Sequence, residues 1–493
     1  MELLTPRFEI PTGWTAQAYR FALDPSPAQL PMLESHCGAA RFAFNHMLGM
    51  VKANLDQRSA ERSYGIAELE LTPAQGWSLA KLRKAWNQRK EGVAPWWPAN
   101  SKEAYNTGLD ALARALEAWD KSRAGERAGA RVGFPRFKAK HAAGRSVRFT
   151  TGAIRVASDR HHVVLPRLGC IRTHESTRKL ARRLEAGAAR ILSATVSRQA
   201  GRWFCSFQVI VANKGRPANI AKSPHAVVGI DVGVRDLLVV ATPEGVEVDR
   251  IPAPKPLQAA QARLHALQRR AARQQGPYDA TNRIRREPSN RWQRTQRRIA
   301  KAHARAASVR AHEMHLVTTT LAARHDVVVC EHLNAAAMRR RGGVRKRGLN
   351  RALADAALGR VRAQLAYKTL WYGTTLVVAS RLFESTQLCS RCGAKTKLRL
   401  RDRRYRCRNG CPAMDRDLNA AINLARLSET TTAGGRMRTG TGSSPAASVT
   451  AGEGRRANQK TSPTVPVGTA RGDDTSTPRT TKAGTAAPQG EAA

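Results

Sequence analysis

Three acids placed by two apolar runs and one helix start carry the chemistry most legible in this 493-residue chain. Asp231 ends the run "AVVGID", and Glu331 ends a later one, "VVVCE". A single acid after an apolar strand is usually a loop residue or a helix cap. Two of them on a β-β-β-α-β order read differently, because adjacent strands of one sheet bring both carboxylates to the same edge. Like charges that close are unfavourable unless a cation lies between them. Mg²⁺ takes oxygen ligands, keeps water and suits phosphate chemistry. The third acid comes from "MDRDLNAAINLA", which offers Asp415 and Asp417. Helical residues two apart point in different directions. Asp417 shares a face with Ala420, Ala421 and Leu424, small enough to pack on a sheet, and so points inward. Asp415 precedes the helix and is placed to cap it. Asp231, Glu331 and Asp417 are therefore expected to hold two Mg²⁺ ions. Such a pair, about 3.5–4 Å apart, clamps the attacking and leaving oxygens of a phosphodiester.

Four cysteines form a second constellation just before that helix. Cys389 and Cys392 are followed by 14 residues, then Cys407 and Cys411. Four thiolates in two pairs point to a closed, structural, tetrahedral Zn²⁺ site. Four ordinary core cysteines would be the alternative, but the intervening stretch is polar and basic. Zinc would supply folding energy that so small a ribbon lacks. The remaining cysteines, Cys37, Cys170, Cys205 and Cys330, are scattered singly, which is no disulfide framework. "GIDVGV" lacks the spacing of a dinucleotide fingerprint.

Composition names the partner class. Lys and Arg total 84 against 37 acidic residues, a formal charge of +47. A folded surface with that excess repels itself unless a polyanion binds it, and nucleic acid is the commonest polyanion. The start of the chain lacks a secretory signal pattern. No apolar run approaches the roughly 20 residues of a membrane span. A cytoplasmic protein associated with nucleic acid and with no membrane partner is expected.

The elements that must position these residues follow from periodicity. "TAQAYRFALD" alternates as a strand does. Helical patterns fill about 30–132, where Trp77, Trp86, Trp96, Trp97 and Trp119 are read as packing residues rather than base-stacking ones. Strand-like runs return over 133–222. Residues 223–387 and 414–428 carry the three acids, with one helix expected over roughly 350–370. The Cys segment, 388–413, is spliced between them. Residues 429–493 contain no Trp, Tyr, Phe, Leu or Ile, and read as a disordered tail. The fold class is multidomain α+β, with an α/β unit of the RNase H kind around the acids.

At these residues the chain resembles a known group. "GIDVGVRDLLVVAT", "VVVCEHLN", "STQLCSRCG" and "YRCRNGCPAMDRDLNAAINLA" are similar, in order, to the RuvC-like nuclease motifs and zinc ribbon of the transposon-encoded TnpB proteins. The compact type V CRISPR effectors share them. "AYRFALDPSPAQ", "CGAARFAFN" and "GFPRFKAK" resemble the N-terminal part of the same family, and the likeness spans about residues 14 to 427. The resemblance implies an RNA-guided DNA endonuclease, monomeric or dimeric on its guide RNA, with a double-stranded DNA target read beside a short motif. It implies a wedge-like β-barrel (1–29 and 133–222) carrying a helical recognition insert (30–132). It also makes 388–413 a ribbon that binds target nucleic acid, and maps the family's nuclease acids onto Asp231, Glu331 and Asp417. Such proteins leave sequence choice to base pairing and grip the heteroduplex by shape and charge. One departure is "CRNGC", where the family usually has CxxC followed by Gly, so the turn at Cys411 must differ. The rival readings are a transposase joining DNA ends, a junction resolvase, and a guided binder with little cleavage. Against the transposase stands the lack of any helix-turn-helix pattern.

Overall fold

Residues 9–433 are described by a computed structural model, except 141–143, 214, 216–219, 275–277, 280–283, 286–288, 340–345 and 400. The chain enters through β1 (Trp14–Asp24) and leaves it at once for three helices, α1 (Gln29–Ser63), α2 (Leu79–Val93) and α3 (Lys102–Arg123). It returns as β2 (Ser146–Phe149), β3 (Arg155–Val156), β4 (His162–Leu165), β5 (Gly169–Thr173), α4 (Arg178–Glu185), β6 (Ala189–Gln199) and β7 (Arg202–Ala212). These strands build one antiparallel sheet in the order β2-β6-β7-β1-β5-β4-β3. The β6–β7 hairpin turns at Ala200 and Gly201, with φ of 48° and 85°, the left-handed pair that matches strand twist. Among the described residues the two end strands do not pair with each other. The sheet is therefore open, where a barrel was expected. The end strands β2 and β3 span only four and two residues, too few rungs to close it.

The helices between β1 and β2 do not form a separate body. Leu33, Phe44, Leu48, Leu109 and Leu112 share one continuous core with Phe149, Val196 and Phe207 of the sheet. Helices α1 and α3 approach closely at Gly108, where a Cβ would sit 2.1 Å from the Ala40 carbonyl oxygen. The tryptophans pack: Trp86 stacks on Tyr105 with ring centroids 5.1 Å apart, and Trp77 meets Trp119 edge-on. Trp96 is the more exposed of them and stands edge-on to Phe42.

The second half starts with an antiparallel meander, β8 (Val227–Val232), β9 (Asp236–Ala241) and β10 (Glu247–Pro252). After it come α5 (Pro256–Ala259), α6 (Gln261–Gln274), the short ladder β11 (Tyr278–Asp279) and β12 (Ile284–Arg285), and α7 (Asn290–Arg324). Then follow β13 (Val327–Cys330), α8 (Ala335–Met338), α9 (Arg347–Ala356), α10 (Gly359–Tyr372) and β14 (Thr375–Val378). The helix expected over 350–370 is split into α9 and α10 at Ala357, whose φ of 47° is left-handed. The sheet order is β10-β9-β8-β13-β14, and β13 runs parallel to both its neighbours.

One face of this sheet is closed by Met314 and Leu321 of α7 and by Val361 and Leu365 of α10. The other is closed by α11 (Arg416–Ala433) through Ala421, Ile422 and Leu424. Between β14 and α11 lie β15 (Arg404–Tyr405) and β16 (Met414–Asp415), which pair with each other. The segment read as a tail, 429–493, begins inside α11, and from 434 on it lies outside the described residues. No helix among the described residues is long and apolar enough to cross a membrane.

Candidate carboxylate centre and cysteine knuckle

Strand register decides where two of the acids stand. β8 and β13 pair in parallel from Val227↔Val327 to Ile230↔Cys330. The next residue on each is an acid, so Asp231 and Glu331 emerge side by side at one sheet edge. Side chains alternate faces along a strand. Ile230 and Cys330 face the α7–α10 layer, which turns Asp231 and Glu331 toward α11.

Gly229, two residues before Asp231, sets how close α11 can come. A Cβ there would lie 2.1 Å from the Ala421 carbonyl oxygen and 2.3 Å from the Ala425 nitrogen. Only glycine admits that approach of helix backbone to strand. The helix starts where the argument needs it: the Asp415 carboxylate accepts hydrogen bonds from the Asp417 and Leu418 amides, both at 3.0 Å. Asp415 is thus the cap, and Asp417 lies in the first turn, where the helix dipole favours an anion.

The electrostatics record how these acids crowd one another. Asp231 is 8% exposed. Burial first, then the charges of Glu331 and Asp417, push its carboxyl well above the usual range. Burial also raises Glu331, opposed by a hydrogen bond from the Ser385 hydroxyl. Arg416 bonds Asp417 through Nε at 3.1 Å and Nη2 at 2.9 Å. Arg403 of the knuckle reaches to 3.9 Å from Asp417. The donor set fits a hard divalent cation: three carboxylates near one another, at least one costly to keep charged without a counterion. His332, next to Glu331, is exposed.

In the knuckle the sulfurs of Cys389, Cys392, Cys407 and Cys411 all lie within 4.8 Å of one another. Sulfurs on a tetrahedron with Zn–S bonds of about 2.3 Å would stand roughly 3.8 Å apart, so the four thiols fit a zinc ion. Each pair turns on a glycine. Gly393 follows Cys392 at φ 71°, and its amide bonds the Cys389 carbonyl at 2.8 Å. Gly410 precedes Cys411 at φ 77° and bonds the Cys407 carbonyl at 3.2 Å. That is how the longer "CRNGC" spacing is closed. Tyr405 lies buried beneath, its hydroxyl donating to the Gln387 and Ala394 carbonyls.

Several residues that contact the site were not singled out from sequence. Ser385, Arg416 and Arg403 touch the acids. Asn419, Asn423 and Arg426 tie α11 to the first cysteine turn. A signal existed for the last three: polar residues at spacings of four and three within the otherwise apolar stretch 418–427 of the helix. Ser385 carries no such mark.

Comparison with known proteins places the chain. Residues 210–342 match the family described as "Probable transposase", and residues 359–424 match the "Cas12f1-like, TNB domain". Residues 15–59 match a "Helix-turn-helix domain", a pattern the sequence reading did not find. In the structure they form β1 and most of the single helix α1. The protein named "Putative RNA-guided DNA endonuclease Rv2885c" of Mycobacterium tuberculosis is 40% identical over 432 residues, 86% of this chain and 89% of that protein. "Putative RNA-guided DNA endonuclease InsQ" of Escherichia coli is 27% identical, over 85% of this chain and 94% of its own length. A solved structure titled as the mini-RNA-guided endonuclease CRISPR-Cas_phi3 overlaps at a TM-score of 0.36 and 11% identity, over 84% of this chain and 92% of that one. That likeness is too loose to bear on the site.

Proposed function

The chain belongs to the family of transposon TnpB proteins and compact type V effectors, and from that premise we propose that it is an RNA-guided DNA endonuclease cutting at Asp231, Glu331 and Asp417. The observation that carries this reading is the parallel β8–β13 register, which sets two acids at one edge beneath the helix that presents the third. Divalent cations, when bound by the three carboxylates, supply water activation and neutralise charge on the leaving oxygen of the phosphodiester. The chain's own residues bind and orient. Ser385 fixes one oxygen of Glu331. Arg416 steadies Asp417. The exposed cations of the knuckle, such as Arg401, Arg403 and Arg404, stand where they can grip the phosphates of an incoming strand. A guide RNA would account for the charge of +47. It must be held whatever its variable sequence, and that demands backbone contacts. Zinc at the four cysteines would be structural, with no open coordination position.

The test is to express the gene with its native flanking DNA, purify the protein and sequence the RNA that comes with it. A discrete RNA with a constant scaffold and a variable segment is expected, and DNA matching that segment should be cut only when Mg²⁺ is supplied. Random cellular RNA, with cutting or joining of DNA without a guide, would refute the proposal in favour of the transposase that one matching family's description names.

A further inference from the structure

The knuckle and the carboxylate centre share a set of hydrogen bonds that the cutting reaction itself does not call for. Asn423 is buried on α11, one turn beyond Asn419. Its Nδ2 donates to two carbonyls at once, Ser385 and Leu388, both at 2.8 Å. Asn419 donates to the same Leu388 carbonyl at 2.7 Å and accepts from the Ser390 amide at 2.9 Å. Arg426, further along, bonds the Ser390 carbonyl and, at 2.8 Å, that of Pro243. The segment from Ser385 to Ser390 is therefore fastened along α11 by three side chains, although it has no regular secondary structure. Its two ends have separate duties. Ser390 lies between Cys389 and Cys392. Ser385, 1% exposed, donates its hydroxyl to Oε1 of Glu331.

We propose that Asn423 and Ser385 are positioning residues for the carboxylate centre. Asn423 pins the strand-to-knuckle turn on the helix that carries Asp417, so that the Ser385 hydroxyl holds Glu331 in one orientation toward Asp231 and Asp417. The inference rests on the proposed role of those three acids. The chemistry is that of a ligand's outer partner. A carboxylate free to rotate must be ordered by each cation it binds, whereas a hydroxyl bond orders it beforehand, and losing such a partner costs roughly 10–100-fold in metal affinity. Fusing the cysteine knuckle directly to α11 has a consequence here. The first cysteine turn is the far anchor of the segment that sets Glu331.

The experiment measures Mn²⁺ binding to the full chain by the fall in free-ion paramagnetic resonance signal, alongside zinc content and melting temperature. Ser385→Ala and Asn423→Ala should each weaken Mn²⁺ affinity about tenfold or more while zinc content stays at the wild-type level. Ser385→Thr, which keeps the hydroxyl, should recover most of the loss. Should Asn423→Ala fail to fold, the Ser385 pair alone decides. Asp231→Asn separates the two layers of the argument. If it removes Mn²⁺ binding while Ser385→Ala binds as wild type, the positioning role is refuted and the carboxylate centre stands. If Asp231→Asn also binds as wild type, the carboxylate reading fails and takes the positioning role with it.

Discussion

Two buried acids, Glu103 in the first half of the molecule and Asp231 in the second, stand in opposite surroundings. In the first, Glu103 is 5% exposed at the start of α3 and accepts hydrogen bonds from the Thr150 and Thr151 hydroxyls, the shortest at 2.7 Å. Its donors come from the loop after β2, so the charge serves to tie helix to sheet. In the second, Asp231 is nearly as buried, yet its largest charged neighbours are two more carboxylates. Burial without compensation costs several kcal/mol per ion in real proteins. The first half places a buried charge where the chain can satisfy it. The second does the same for Asp355, through Arg310 and the Leu257 and Gln258 amides, but sets Asp231 beside two carboxylates, with the charge of Arg416 and the Val232 amide opposing them. That difference is what the proposed role of Asp231 requires of its surroundings.

The sharpest way to break the contrast is to remove an acid from each half. Asp417→Ala should lower guided DNA cleavage on the order of a thousandfold, because cation stabilisation of the reacting oxygens is worth several kcal/mol. The protein should remain folded and bind its RNA. Cleavage at the wild-type rate would remove Asp417 from the centre. Gly229→Ala comes next. Its methyl meets helix backbone at 2.1 Å and 2.3 Å. It should cost about 1–3 kcal/mol in urea unfolding and also reduce cleavage, since α11 must move away from β8. A stability loss with cleavage unchanged would mean that the α11 contact does not set the centre's geometry. The smallest effect is on the other side. Glu103→Gln should lower stability by about 1 kcal/mol, with the response to Mg²⁺ untouched. A changed Mg²⁺ response would dissolve the distinction between the halves.

Much of the centre's layout could be read because it depends on local rules. Strand ends, helix period and cap preference separate Asp417 from Asp415 without any tertiary knowledge. The pairing of cysteines was legible for the same reason, through spacing and the polarity of what lies between. Other features needed contacts that leave little trace in sequence. Gly229 sits inside an apolar strand, and only the structure reveals which helix it admits. Ala357 adopts a left-handed φ with no glycine to announce it, so α9 and α10 read as one helix. The N-terminal sheet stays open because β2 and β3 are short, a property of length that alternation alone does not fix. Asn423 was passed over because its partners are backbone carbonyls 35 and 38 residues away.

The claim that Asp231 is held for an external cation is tested most directly by thermal unfolding of the full chain with and without Mg²⁺. The folded carboxyl titrates well above an unfolded aspartate, near 3.9. Stability from this group is therefore full below that value and is lost as pH rises toward and through the folded one. At neutral pH without Mg²⁺, Asp231→Asn should melt a few degrees higher than wild type. Mg²⁺ should then raise the melting point of the wild type and leave that of Asp231→Asn nearly unchanged. A variant that melts lower than wild type without the ion, or that gains as much from Mg²⁺, would contradict the account.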